Sequence, residues 1–195
     1  MPKFIFIPSV DSTAIPLGNI ISQYKFQNNA NDFVGSNNGT ATNLSYVTGL
    51  VGKAGDFSGG TNSQVSIPDA DNLSFGNGTS DVWDGSAFIR GGNSNAIGSL
   101  SDWTHITFTY DGSGLTSGIL LYVDGVLESM EYLSSGTYVA MENTATPVVF
   151  GKNPWNTSST FSGQMDCTTF WDKELTDAEV LELATEELAG TDINP

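Results

Sequence analysis

Residues 102–129 read "DWTHITFTYDGSGLTSGILLYVDGVLES", and the fold turns on how this stretch is divided. In "WTHITFTY", Ile106, Phe108 and Tyr110 fall on one side and Trp103, His105, Thr107 and Thr109 on the other, the period of a half-buried strand. "LLYVDGVLES" then reads as a strand, a tight turn and a second strand. A two-residue Asp-Gly loop supplies the positive φ angles such a hairpin demands, so Asp124 is accounted for as turn chemistry without a ligand. The stretch predicts consecutive hairpins, and hence an antiparallel sheet.

The rest of the chain repeats that grammar. Its 195 residues, 38% of them hydrophobic, can bury a core and fit one all-β domain better than two. Outward from the hairpins, strand-like "IISQYKF", "LSYV", "GKAGDFSGG", "SQVSIP", "TPVVFG" and "FSGQMDCTTFWD" are separated by turn signals, and "QNNANDFVGSNNGTATN" reads as a polar loop. One helix stands out. "LTDAEVLELATEEL", residues 175–188, carries Thr176 and Glu179 as a capping box and lines up Val180, Leu183 and Ala184. Residues 1–19 form an amino-terminal arm and 20–188 the domain; 189–195 is an acidic tail.

Six basic against 22 acidic residues leave a net charge of −16, which repels nucleic acid and anionic membranes. No stretch has the length of a transmembrane span or of a signal-peptide core, which predicts a protein that does not use general secretion. Cys167, the single cysteine, reads as a small buried hydrophobe rather than a nucleophile. His105 is the sole histidine and has no acid near it in sequence, which suits packing or hydrogen bonding better than ligation. The motifs of acyl transfer, nucleotide binding and zinc hydrolysis do not occur. Glycoside hydrolysis needs two facing carboxylates, whereas Glu128 and Glu131 are predicted on opposite faces of one strand, so no catalytic residue is assigned.

Three segments carry a resemblance to a family. "YKFQNNANDFVGSNNGTATNLSYVTGLVGKAGDFSGGTNSQVSIPDADNLSF" is similar to the start of laminin-G-like, concanavalin A-like lectin/glucanase domains. The hairpin stretch resembles their middle, and "VVFGKNPWNTSSTFSGQMDCTTFWDKELTDAEVLEL" their carboxy-terminal end. The resemblance implies a two-sheet antiparallel jelly-roll sandwich with one short carboxy-terminal helix. It departs from the family between Phe75 and Trp103, where room exists for two strands, "VWD" and "SAFIR", and at Asp166-Cys167, where the family often has Asp-Glu. No E-x-D-x-x-E strand of a glucanase appears.

Some members of the fold hold a structural calcium between an early loop and the last long strand. The matching positions are Asp32 and Asp166, with a turn cap as the alternative role for each. For glycan binding the expected loop is "KNPWNTS", with Trp155 between Asn153 and Asn156, and Trp83 of "DVWDG" second. The resemblance extends to domains of bacteriophage structural proteins, which implies a non-catalytic virion component such as a capsid-decoration, fibre or tail-associated protein. A carbohydrate-binding lectin module, extracellular or at a cell surface, is the alternative. In the arm, Phe4 and Phe6 alternate with Ile5 and Ile7, a pattern suited to docking as an added strand on another virion protein, on a second copy or on its own domain.

Overall fold

The structure, a computed structural model, describes residues 15–70, 81–83, 87–92, 102–140, 145–153 and 159–195. Among them fourteen strands precede one α-helix: β1 (Ile20–Tyr24), β2 (Thr40–Thr42), β3 (Ser45–Thr48), β4 (Lys53–Asp56), β5 (Gln64–Ile67), β6 (Asp81–Trp83) and β7 (Phe88–Gly92). Then come β8 (Ile106–Tyr110), β9 (Ile119–Val123), β10 (Val126–Leu127), β11 (Glu131–Ser135), β12 (Val148–Phe150), β13 (Gln164–Met165), β14 (Thr168–Trp171) and α1 (Asp177–Leu188). Every pairing is antiparallel, and the ladders group as β1-β14, β10-β9-β8, β11-β7-β6, β12-β5-β2 and β13-β4-β3. This is an antiparallel β-sandwich with a carboxy-terminal helix, the architecture that the resemblance implies.

The central hairpins form where the sequence places them. β8 pairs with β9 and β9 with β10, and the turn between the last two puts Asp124 at φ +50° and Gly125 at φ +80°. Both positions are left-handed, as a two-residue hairpin of the observed hand requires. In the short interval after Phe75, "DVW" and "FIRGG" become β6 and β7.

Three apolar clusters lie among the described residues, the smallest around Ile89 and Ile119. Tyr24, Phe26, Phe57, Val65 and Ile67 form the first, with Phe150 and Phe170 packed against it. Tyr24 meets Phe150 edge to face at 5.4 Å between centroids and Phe26 meets Phe57 so at 6.1 Å, an arrangement aromatic quadrupoles favour, while Phe150 and Phe170 stack at 6.0 Å. The second joins Tyr122 of β9 to Leu175, Val180 and Leu183, and so fixes α1 to the sheet.

That second cluster also holds both chain ends described. Ile15 and Leu17 pack in it, as does Ile193. The end of the expected arm, from Ile15 onward, therefore belongs to the domain, and the acidic tail is docked. Gln23 donates to the carbonyl of Ile193 at 3.0 Å, and Lys25, 5% exposed, donates to Asp192 at 2.7 Å and also to Asn194. A docked apolar residue and a paired lysine explain why this polar segment does not extend into solvent.

Three further expectations change. The polar loop after β1 contributes a strand, β2, which pairs with β5. On β8 the apolar side chains of Ile106 and Phe108 are exposed while Thr109 is buried, the reverse of the burial the pattern suggests. Glu128 and Glu131 do not share a strand, because β10 ends at Leu127 and β11 begins at Glu131.

Candidate functional site

The chemistry-bearing side chains that converge lie in a narrow cleft of about 50 Å³. Four pieces of chain wall it: Leu50 and Val51 between β3 and β4, Trp103 to His105 leading into β8, Asp166 and Cys167 between β13 and β14, and Glu187 and Leu188 at the end of α1. Each piece has a local reason to be there. The first is a tight turn closed by the Gly49 amide on the Gly52 carbonyl at 3.1 Å, and a Cβ at Gly49 would stand 2.5 Å from Asp166 Oδ2. Only glycine lets that turn come so close to the carboxylate.

His105 is held on three sides. Its amide donates to Asp124 Oδ1 at 2.8 Å, its carbonyl accepts from the Asp124 amide at 2.8 Å, and its Nε2 faces Glu187 Oε2 at 3.1 Å. The acid absent from the neighbouring sequence is thus supplied by α1. Asp124 keeps its role in the turn and gains another, aligning the strand that carries His105.

The two oxygens of Asp166 are unequally placed. Its Oδ2 accepts from the Val51 amide at 2.9 Å, whereas Oδ1 is buried without a hydrogen-bond donor. Burial pushes its carboxyl above the ordinary carboxylate value, against the opposing pull of the Val51 amide. Cys167 stands at φ +50°, and burial, then the charges of Asp166 and Glu187, drive its thiol far above its usual value. A thiol held protonated in this way is no nucleophile at neutral pH. The cleft thus gathers a half-buried Trp103, the Asp166 carboxylate and an imidazole–carboxylate pair.

Asp32, the other expected cation ligand, sits elsewhere, and its hydrogen-bond partners have no residue in common with those of Asp166. Its Oδ1 accepts from the amides of Gln23, Val34 and Gly35 at 3.0–3.1 Å, and its Oδ2 from Ser22 Oγ at 2.8 Å and the Asn37 amide at 3.1 Å. Burial alone would raise its pKa; the amides of Gly35 and Gln23, the Ser22 hydroxyl and the Asn37 amide outweigh it and hold the group below the usual carboxylate range. Five donors saturate the carboxylate, so a calcium ion there would have to displace them. In this arrangement Asp32 folds the 30–38 loop onto β1 and does not fit a cation. Among the described residues no group of three or more His, Cys, Asp or Glu is placed to hold a metal.

Of the expected glycan loop, Asn153 is described. Its amide donates to the Ser159 carbonyl at 2.9 Å, and Lys152 bridges Thr160, so residues 152 and 160 form the neck of that loop. Trp155 and Asn156 lie outside the described residues, as do the Trp83 side chain and Phe4, Ile5, Phe6 and Ile7 of the arm. Sequence reading missed the cleft because its members are far apart in the chain; the Asp166-Cys167 departure from the family pattern was the one local signal.

The sequence matches the concanavalin A-like lectin/glucanases superfamily over residues 35–181. No curated protein matches. Among solved structures, domain 4 of AbnA, a GH43 extracellular arabinanase from Geobacillus stearothermophilus, in complex with arabinotriose, is similar at 19% identity and a TM-score of 0.59, over 85% of this chain and 98% of that one. At that identity the likeness concerns the fold alone. Since the sequence match runs from the loop after β1 into α1, across most of the sandwich, this chain belongs to the concanavalin A-like lectin/glucanase superfamily.

Proposed function

We propose that this chain is a non-catalytic carbohydrate-binding module that holds a sugar at the cleft between Trp103, His105, Asp166 and Glu187. The observation that carries the reading is the convergence of Trp103 and the Asp166 carboxylate on one cleft. A sugar brings both complements: hydroxyls to donate to the carboxylate and an apolar ring face to lie on the indole. The cleft's 50 Å³ suits one hydroxyl-bearing edge, so the rest of the saccharide would lie over the rim. The likeness to an arabinanase domain solved with arabinotriose supports pentose oligosaccharides among the ligands to try first.

Binding without turnover is supported by the state of the candidate groups. Glu187 is committed to His105, and the Cys167 thiol keeps its proton. Neither provides the paired acid and nucleophile that glycoside hydrolysis uses.

A glycan array with arabino-oligosaccharides and β-glucans, followed by calorimetry, tests the reading. Trp103→Ala and Asp166→Asn are each expected to weaken binding about tenfold or more, the order of one stacking or charge-assisted contact. Loss of binding in Trp155→Ala with none in Trp103→Ala would move the site to the 152–158 loop. No binding to any glycan, or release of reducing sugar, would overturn it. A virion role and a free module share this binding and differ in what displays it. Presence in a mass-spectrometric inventory of purified particles supports the former; confinement to soluble extract rejects it.

A further inference from the structure

β11 stands out by what fails to cover it. All of its residues, Glu131 to Ser135, are exposed, although the side chains of a strand alternate between two faces. Its neighbour β7 is different: Ile89 and Gly91 are buried on the core-facing side, while Arg90 is exposed on the other. The register sets Tyr132 beside Gly91 and Leu133 beside Arg90, which puts Tyr132 on the core side and Leu133 on the outer side. Yet Tyr132 is 45% exposed and Leu133 53%. The core ends under β7, and β11 overhangs it with a large side chain open on each face.

We infer that β11 is the pairing edge for a second copy of this chain, added antiparallel about a two-fold axis at Leu133. Among the described residues β11 closes its ladder, and no strand pairs with its far side. The devices that usually blunt such an edge are missing from it. Its register with β7 runs unbroken from Glu131–Gly92 to Ser135–Phe88, without a bulge, and the strand holds neither lysine nor proline. Apolar surface borders it as well: Val139 is exposed, and so is Leu115 at the start of a turn packed against β7 and β11. β8 also closes a ladder, but Thr109 there is buried and Thr107 half-buried, so one of its faces is already covered.

The strand's own sequence favours a second copy as the occupant. With the axis at Leu133, that residue meets itself, Tyr132 meets Ser134 of the second copy and Glu131 meets Ser135 of the second copy, so no acid opposes an acid. Charge elsewhere works against association, since each copy carries −16. Residues 129–140, "SMEYLSSGTYVA", hold Glu131 as their one charged side chain, and two copies can approach along them at low electrostatic cost.

Sedimentation velocity of the full chain from micromolar to millimolar concentration, at low and high salt, tests this. A monomer–dimer equilibrium is expected, and salt should tighten it by screening the repulsion between two acidic copies. Ser135→Lys, set opposite Glu131 of the second copy in two symmetric pairs, should tighten the dimer roughly tenfold, and Ser135→Glu should loosen it by a similar factor. Leu133→Lys makes the same change in net charge as Ser135→Lys and should have the opposite effect, because it sets two ammonium groups face to face at the axis. Should Leu133→Lys disturb the fold, as read by circular dichroism, the two opposed Ser135 variants decide alone. A chain that stays monomeric throughout would overturn the inference. So would a dimer that the Ser135 substitutions leave unchanged, or one that both lysine variants tighten alike, since association would then use another surface or follow net charge alone.

Discussion

Asp32 shows how much structural information one carboxylate can concentrate. Five donors from 22, 23, 34, 35 and 37 converge on it, and they fix a loop rich in Asn and Gly that has few apolar side chains to anchor it. Because its folded-state pKa lies below the ordinary value, its contribution is fully present above the unfolded pKa, near 4, and is lost as pH falls through the folded pKa. Asp32→Asn, which cannot accept all five bonds, is therefore expected to cost about 3 kcal/mol at pH 7. The gap to wild type should begin to narrow below about pH 4 and go on narrowing as the pH falls toward the lower folded value. Urea unfolding of both proteins from pH 7 to pH 3 measures it, and a gap independent of pH would refute the assignment. The residue itself was legible in the sequence as special, but its role was not: an Asp in a loop looks the same whether amides or a cation complete it. Asp124 was the easier case, since the following Gly125 and the flanking apolar runs define its turn locally.

At the scale of elements, what could be read was what is local. α1 is capped as its sequence indicates: Thr176 Oγ1 accepts from the Glu179 amide, and Glu179 accepts in return from the Thr176 amide at 2.8 Å. Asp177 and Glu179 in its first turn also suit the helix dipole. Thr176→Ala is expected to lower stability by about 1 kcal/mol, and Thr176→Ser to retain most of it, as read from denaturant midpoints at unchanged m-value. β2 escaped notice because "TAT" has no apolar alternation and is paired through its backbone to β5. β8 showed its period but not its sides, since which face of a strand is buried depends on what packs there, and its threonine face carries the buried Thr109. The cleft of Trp103, His105, Asp166 and Glu187 was invisible for the same reason at longer range.

For the whole molecule, the decisive contacts are those that close the chain upon itself. Ile193 is 8% exposed in the cluster of Tyr122 and Val180, and Asp192 pairs with the buried ammonium of Lys25. Removing residues 191–195 is expected to cost about 3 kcal/mol or more, because it withdraws an apolar side chain and leaves a buried charge without its acid. Thermal unfolding of the truncated protein reads this, and a melting temperature unchanged from that of the intact chain would show the tail to be dispensable. Ile15 and Ile193 belong to one buried cluster, so the first described residues and the carboxy-terminal segment are anchored in the same part of the core. One patch of core therefore ties residues that stand far apart in the sequence to β9 and α1, so that loosening either segment loosens the seat of the helix as well.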